Sequence, residues 1–212
     1  MYEYLFFDLD GTVTDPGEGI TNSVMYALGK FGIKVEDRSV LYPFIGPPLI
    51  ESFEKYYGFS PEDAGRGVDM YREYYSVRGI FENRLYDGIE RVFREQKERG
   101  KHIVLATLKP EPYAIKILAH FGVDGYFDLV RGAYLGHSRE TKGDIIRSAM
   151  SSLGISAPSS VLMIGDREND ITGAKENGVD SVGVLYGYGG YDELKNAGAT
   201  YIVKTPEELL KV

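Results

Sequence analysis

Tyr4-Leu5-Phe6-Phe7-Asp8-Leu9-Asp10-Gly11-Thr12 is the stretch on which the fold turns. An apolar, aromatic run stops abruptly at a carboxylate, the pattern of a buried parallel strand that ends at a site. Two carboxylates two positions apart at a strand end can converge on one metal ion and one reacting group. Asp8 can attack phosphorus as a nucleophile. Asp10 can protonate the leaving alkoxide and later deprotonate the attacking water. Gly11 permits the sharp turn out of the strand. Asp, Gly and Thr also make ordinary polar turns, so the meaning of the stretch depends on what surrounds it.

Outward from this strand, similar apolar runs recur at His102 to Thr107, Tyr126 to Val130, Val161 to Asp166, Ser181 to Leu185 and Thr200 to Val203. Helical periodicity lies between them. Ile89, Val92 and Phe93 follow an expected N-cap at Asp87. Tyr113, Ile117, Leu118 and Phe121 share one face, as do Ile145, Ile146, Ala149, Met150 and Leu153. This alternation predicts an α/β fold with a doubly wound parallel sheet, Rossmann-like, with helices on both faces. In such sheets ligands bind beyond the carboxyl ends of the strands, where Asp8, Thr107 and Asp166 fall.

Residues 15–83 break the alternation, with helices and no convincing strand. Ile20, Val24, Ala27, Leu28 and Phe31 make one helical face, and Pro47 to Tyr57 a second helix. Ser60-Pro61-Glu62-Asp63 resembles a capping box opening a third helix through Tyr75. The expected organisation is a catalytic core of residues 1–14 and 84–212 with a helical insert over 15–83.

The chain has 212 residues, 43% of them hydrophobic and 26% charged, an ordinary globular balance. A formal net charge of −8 disfavours nucleic acid and anionic membranes as partners. With no cysteine, disulfides and cysteine–zinc sites are excluded. Glu3 and Asp8 interrupt the N-terminal region where a secretory signal would need a basic end and a long apolar stretch. No apolar run approaches the ~20 residues that span a bilayer, so the expected location is the cytoplasm. Nothing in the sequence chooses between monomer and dimer.

Further chemistry gathers at the other strand ends. Asp166, within Gly165-Asp166-Arg167-Glu168-Asn169-Asp170, suits a magnesium ligand, since hard divalent cations prefer carboxylate oxygens. Asp170, one helical turn on, can brace the site or bind metal through water. Acidic residues also serve simply as helix caps. Thr107 and the N–H of Leu108 can hold a phosphoryl oxygen. Lys142, opening a helix, can neutralise the phosphoryl group and orient Asp8. Lys109, two residues past Thr107, competes for that role.

Nucleophile, hydroxyl, lysine and metal carboxylate in this order resemble the haloacid dehalogenase superfamily, in its phosphoglycolate-phosphatase-like branch. The likeness spans essentially the whole chain. The DxDGT motif matches Asp8 to Thr12, the threonine motif Thr107, the lysine motif Lys142, and GDxxxD Gly165 to Asp170. Phe44-Ile45-Gly46-Pro47-Pro48 and Tyr186-Gly187-Tyr188-Gly189 also look like segments of this branch.

The resemblance implies a Mg2+-dependent phosphate-monoester hydrolase acting through an aspartyl phosphate on Asp8. It implies magnesium held by Asp8, Asp166 and the carbonyl of Asp10, with Asp170 nearby. It also implies phosphate contacts from Gly11, Thr12, Leu108 and Lys109, and a mobile cap over residues 15–83, hinged near Thr14 and Arg84, that selects a small-molecule phosphate monoester. Phe44, Ile45 and Gly46 are expected to set specificity. Arg167, where many phosphatases have a small residue, either touches substrate or pairs with Glu168 or a cap carboxylate.

The alternatives are a 5′-nucleotidase and a sugar phosphomutase. Dehalogenases generally lack the second aspartate, and ion pumps need membrane spans. A non-catalytic relative would be expected to lose Asp8 or Asp10. For phosphoglycolate, Arg78 and Arg84 are the candidate carboxylate partners. For a nucleotide, Tyr42 is the first candidate for stacking, although most cap tyrosines are expected to pack the cap's own core. His102, His120 and His137 receive no role.

Overall fold

The chain runs Tyr4–Phe7 (β1), Thr14–Asp15 (β2), Gly17–Lys30 (α1), Leu49–Tyr57 (α2), Pro61–Tyr74 (α3), Arg84–Leu85 (β3) and Ile89–Glu98 (α4). It continues through His102–Pro110 (β4), Glu111–Phe121 (α5), Leu129–Ala133 (β5), Lys142–Ser152 (α6) and Val161–Gly165 (β6). Glu168–Glu176 (α7), Asp180–Val184 (β7), Tyr191–Ala197 (α8) and Tyr201–Val203 (β8) follow. The structure is a computed structural model and describes residues 2–136 and 139–212, so His137 lies outside the described residues.

Six strands form one parallel sheet in the order β5-β4-β1-β6-β7-β8. The doubly wound arrangement is the one the sequence predicts. Side chains alternate across the sheet with period two. Leu5, Phe7, Ile103, Leu105, Leu162 and Ile164 join a core with Phe93 of α4 and Ile117 of α5. Phe6, Val104, Ala106 and Met163 join a second core with Ile145, Ile146 and Ala149 of α6 and Ala174 of α7. The neighbouring strands β4, β1 and β6 thus bring Thr107, Asp8 and Asp166 side by side at their carboxyl ends.

Between β2 and β3 the chain makes α1, α2 and α3, which share a buried cluster of Val24, Leu28, Phe53, Ala64 and Val68. Phe44, at the end of a 3-10 stretch over Arg38–Phe44, packs edge-on against Phe53 at 5.2 Å between ring centroids.

Several details differ from expectation. β2 and β3 pair antiparallel as a two-stranded ribbon at the crossing between the two parts; two-residue strands are too short to show a period. α2 starts at Leu49, not Pro47, because a residue preceding proline disfavours the helical region and Pro48 follows Pro47. α4 is preceded by Gly88 at φ 86°, not capped by Asp87. α3 ends at Tyr74 and widens into a π-helical turn over Tyr75–Gly79. β5 spans Leu129–Ala133, later than the apolar run Tyr126 to Val130 suggests, because a 3-10 turn occupies Asp124–Tyr126. Among the described residues, no helix is long and apolar enough to cross a membrane.

Candidate active site

The loop after β1 is built to bring backbone close to a carboxylate. Gly11 adopts φ 88°, and its N–H donates to the Thr14 carbonyl at 2.8 Å. A Cβ at this position would stand 2.2 Å from Asp166 Oδ2, so no side chain fits. Gly187 meets the same crowding from the opposite loop: its Cβ would lie 2.3 Å from the Gly11 carbonyl oxygen. The Tyr186–Gly189 segment, noted in the sequence without a role, therefore packs against the site. Its Tyr188 N–H donates to Asp166 Oδ2 at 2.7 Å.

Lys142 is the first residue of α6, whose start is fixed by a capping box between Thr141 and Asp144. Its Nζ reaches Asp8 Oδ1 at 2.7 Å and Asp170 Oδ1 at 2.7 Å, and donates to the Ala106 carbonyl at 3.0 Å. The side chain is 2% exposed. Asp170 sits in the first turn of α7, where Oδ2 also accepts the Arg167 N–H at 3.1 Å. Asp8, Asp166 and Asp170 form one group whose ligand oxygens lie within 4.8 Å of one another.

Asp10 faces a different cation. Its Oδ2 accepts from Lys109 Nζ at 2.5 Å, and its Oδ1 is buried without a partner. Lys109 is aimed there by an irregularity in β4 between Thr107 and Pro110, of the kind that re-aims side chains at sites. The Thr107 hydroxyl accepts the Lys109 N–H at 3.1 Å and steadies that bend. The two competing lysines therefore each hold one carboxylate of the DxD pair. The Thr12 hydroxyl is buried and unpartnered.

Burial dominates the electrostatics. It pushes the Asp166 carboxyl well above the ordinary range, and Asp170 and Asp8 add to the push. Burial likewise raises Asp170, Lys142 pulls it back and Asp8 pushes up again, leaving it at about 6. Asp10 is raised by burial against the pull of Lys109. Burial alone would lower Lys142, but Asp170 and Asp8 outweigh it and hold the ammonium above its usual range. Asp8, Asp10, Asp166 and Asp170 gather against the ammoniums of Lys109 and Lys142, while Arg167, paired with Glu193, adds a weaker pull on Asp166. Four acids against two ammoniums, with Asp166 Oδ1 buried and unpartnered, suit a divalent cation with hard oxygen preference.

Above Asp10 opens a narrow cleft of about 90 Å³ between the helical segment and the core. Phe44 and Gly46 line it, as do Leu108 and Lys109. Other expected contacts fall elsewhere. Tyr42 leans on the Tyr188 ring at 5.7 Å and is not part of the lining. Arg84 is spent on Asp15 at 2.7 Å, and Arg78 does not line the cleft. Ile45 is fully buried and offers its carbonyl instead of its side chain. Arg167 pairs neither with Glu168 nor with a cap carboxylate. Its Nε donates to Glu193 at 2.8 Å and its Nη1 to the Ile45 carbonyl at 2.8 Å, tying α7 to the helical segment. Sequence reasoning missed Arg72, and it missed Tyr71 and Tyr75 as lining residues, though all three are in the wall. The available signal was their i, i+1, i+4 spacing on one helix.

The profile of the haloacid dehalogenase-like hydrolases matches residues 5–184. A 5′-nucleotidase of Pseudomonas aeruginosa is 44% identical over 194 residues, covering 92% of this chain and 87% of the relative. The tyrosine-protein kinase PtkA of Mycobacterium tuberculosis is 36% identical, covering 94% and 68%. The crystal structure of a predicted phosphatase from Clostridium acetobutylicum superposes with a TM-score of 0.96 at 51% identity, covering 100% of this chain and 97% of that one.

Proposed function

Since the chain belongs to the haloacid dehalogenase-like hydrolase family, we propose that it is a Mg2+-dependent phosphate-monoester hydrolase working through an aspartyl phosphate on Asp8. The observation that carries this is the split pairing of the two carboxylates. Asp8 is gripped by Lys142 at the floor, while Asp10 meets Lys109 beside the open cleft. Environments that separate two acids separate their roles.

In the first half-reaction an Asp8 oxygen attacks phosphorus, the ester P–O bond breaks, and Asp10 gives its proton to the departing alkoxide. In the second, water attacks the phosphorus of the acyl phosphate and Asp10 takes its proton. The P–O bond to Asp8 breaks, releasing phosphate, restoring the Asp8 carboxylate and leaving Asp10 protonated for the next turnover. Lys142 holds Asp8 in place throughout, and Thr107, Thr12 and the N–H groups after β1 and at Leu108 receive the phosphoryl oxygens. Asp8, Asp166 and the Asp10 carbonyl would hold magnesium, with Asp170 bracing them. When bound, the cation shields the charge between an anionic nucleophile and an anionic phosphoryl group. Residues 15–83 act as a cap that closes over the ester and excludes water.

A nucleotidase and a kinase share phosphoryl movement with this scheme, which supports the reaction class. The name of the Pseudomonas relative and the apolar cleft walls also support nucleoside 5′-monophosphates as a second substrate class. The test is phosphate release from a panel of monoesters with Mg2+. Turnover should vanish in Asp8→Asn and after chelation, and return with Mg2+ in the wild type. Retained turnover in Asp8→Asn would refute the nucleophile assignment, and full activity in chelator would refute the metal.

A further inference from the structure

The cleft above Asp10 contains a cation for which hydrolysis of a simple phosphate ester has no use. Arg72, on α3, lines the wall and is half-buried. Its Nη2 donates to the Gly136 carbonyl in the core at 2.5 Å. Among the described residues it makes no ion pair, whereas Arg66, one turn earlier on the same helix, pairs with Asp63. A half-buried guanidinium satisfied only by a neutral carbonyl retains a full charge that attracts an anion.

The rest of the wall says what kind of molecule brings that anion. Tyr71, Tyr113, Pro47 and Leu108 present apolar and aromatic surface. Tyr75 is 1% exposed, lies under Lys109 Nζ at 4.6 Å from its ring centroid, and has a buried hydroxyl without a partner. Glu140 also lines the cleft, and its Oε2 accepts the Tyr134 N–H. Lys109 is matched by Asp10, and the floor acids by Lys142 and a divalent cation. Arg72 has no carboxylate bound to it among the described residues, and a charge in a fork geometry calls for one.

Resting on the phosphatase assignment above, we propose that Arg72 and the Tyr75 hydroxyl form a leaving-group subsite that selects phosphate monoesters whose leaving group has an apolar or aromatic body and carries a carboxylate. Arg72 exchanges its bond to the Gly136 carbonyl for the carboxylate, and the Tyr75 hydroxyl donates to a polar atom of the leaving group. A neutral nucleoside would fill the same walls and leave the guanidinium without a counter-ion.

The experiment compares 4-carboxyphenyl phosphate with phenyl phosphate, two esters of matched body. In the wild type kcat/KM should favour the carboxylated ester by on the order of tenfold or more, the range of a charge-assisted hydrogen bond. In Arg72→Gln that ratio should fall toward one; in Arg66→Gln, which makes the same charge change on the same helix, it should stay at the wild-type value. Calorimetric binding of 4-carboxyphenylphosphonate and phenylphosphonate to the Mg2+-supplemented wild type repeats the comparison without turnover and without a variant that has to fold. Hydrolysis of both esters with no preference, a preference that survives Arg72→Gln, or nucleoside 5′-monophosphates outperforming the carboxylated ester tenfold would each overturn the subsite alone. An absence of both hydrolysis and binding for every one of these compounds would overturn the phosphatase assignment with it.

Discussion

Replacing Lys142 with methionine should both cripple the site and destabilise the fold in a pH-dependent way. Met keeps most of the stem volume and removes the charge. The lost ammonium contacts Asp8 and Asp170 at 2.7 Å each from a side chain only 2% exposed. Removing one partner of a buried ion pair costs about 3–5 kcal/mol, a large part of the roughly 5–15 kcal/mol that holds a typical domain. The pH window follows from Asp170. Its folded pKa is raised from 3.8 to about 6, so the folded state favours the proton. The associated stability is present below the unfolded value and is lost as pH rises through about 6. Two pKa units correspond to roughly 3 kcal/mol. Without Lys142, which pulls Asp170 down, the carboxyl moves higher still and the penalty grows toward neutral pH. Lys142 itself is raised and would lose its own contribution only above its usual alkaline range, outside this window. Urea unfolding in chelator, followed by circular dichroism at pH 7.5 and pH 5.0, measures the effect. The variant should lose about 3–5 kcal/mol at pH 7.5 and clearly less at pH 5.0, together with catalytic turnover. A loss under about 1 kcal/mol at pH 7.5, or a penalty that grows on acidification, would refute this account of the charge cluster.

Gly11→Ala forces a left-handed backbone on an L-residue, costing roughly 1–2 kcal/mol, and drives a methyl into Asp166. Its Mg2+ affinity should drop at least about tenfold by calorimetry, and unchanged affinity would show that the close approach is not needed. Arg167→Ala removes the bonds to Glu193 and to the Ile45 carbonyl. The cap should open more often, seen as a larger radius in small-angle scattering and a higher KM for every substrate; identical scattering and kinetics would exclude the tether.

What was legible in the sequence was whatever one period or one strand end encodes. Apolar runs ending at Asp8 and Asp166 gave the parallel sheet and its working edge, because both faces of those strands are buried and the chain must leave them at a polar group. Lys142 was legible because motif order and helix start coincide. The β2–β3 ribbon was not, since two-residue strands carry no periodicity. Nor was the division of labour between Lys109 and Lys142, which depends on the irregularity in β4 and on which carboxylate each lysine faces after folding. Tyr42 and Arg84 do not line the cleft for a related reason: chain position does not say that Tyr42 leans on Tyr188 or that Arg84 pairs across the ribbon with Asp15.

The cap's role rests on how few polar ties cross to the core. Among the described residues, Arg72 to the Gly136 carbonyl, Lys116 to the Ser76 carbonyl at 3.5 Å, Arg139 to Glu54 at 3.1 Å and Arg167 to the Ile45 carbonyl are charged groups reaching across from alternate sides. Three of these four end on neutral carbonyls, which a cation relinquishes more readily than a carboxylate. Asp15, at the start of the insert, is anchored on both flanks, by Arg84 across the ribbon and by the Tyr188 hydroxyl from the core. Although burial alone would raise it, the Tyr188 and Arg84 bonds hold its carboxyl below the usual range. In the proposed scheme, a firm anchor at the crossing and weaker ties at the rim would let residues 15–83 pivot on the ribbon and open at the arginines. Substrate would then displace Arg72 from its carbonyl without unpacking Phe44 and Phe53, whose contact lies inside the insert.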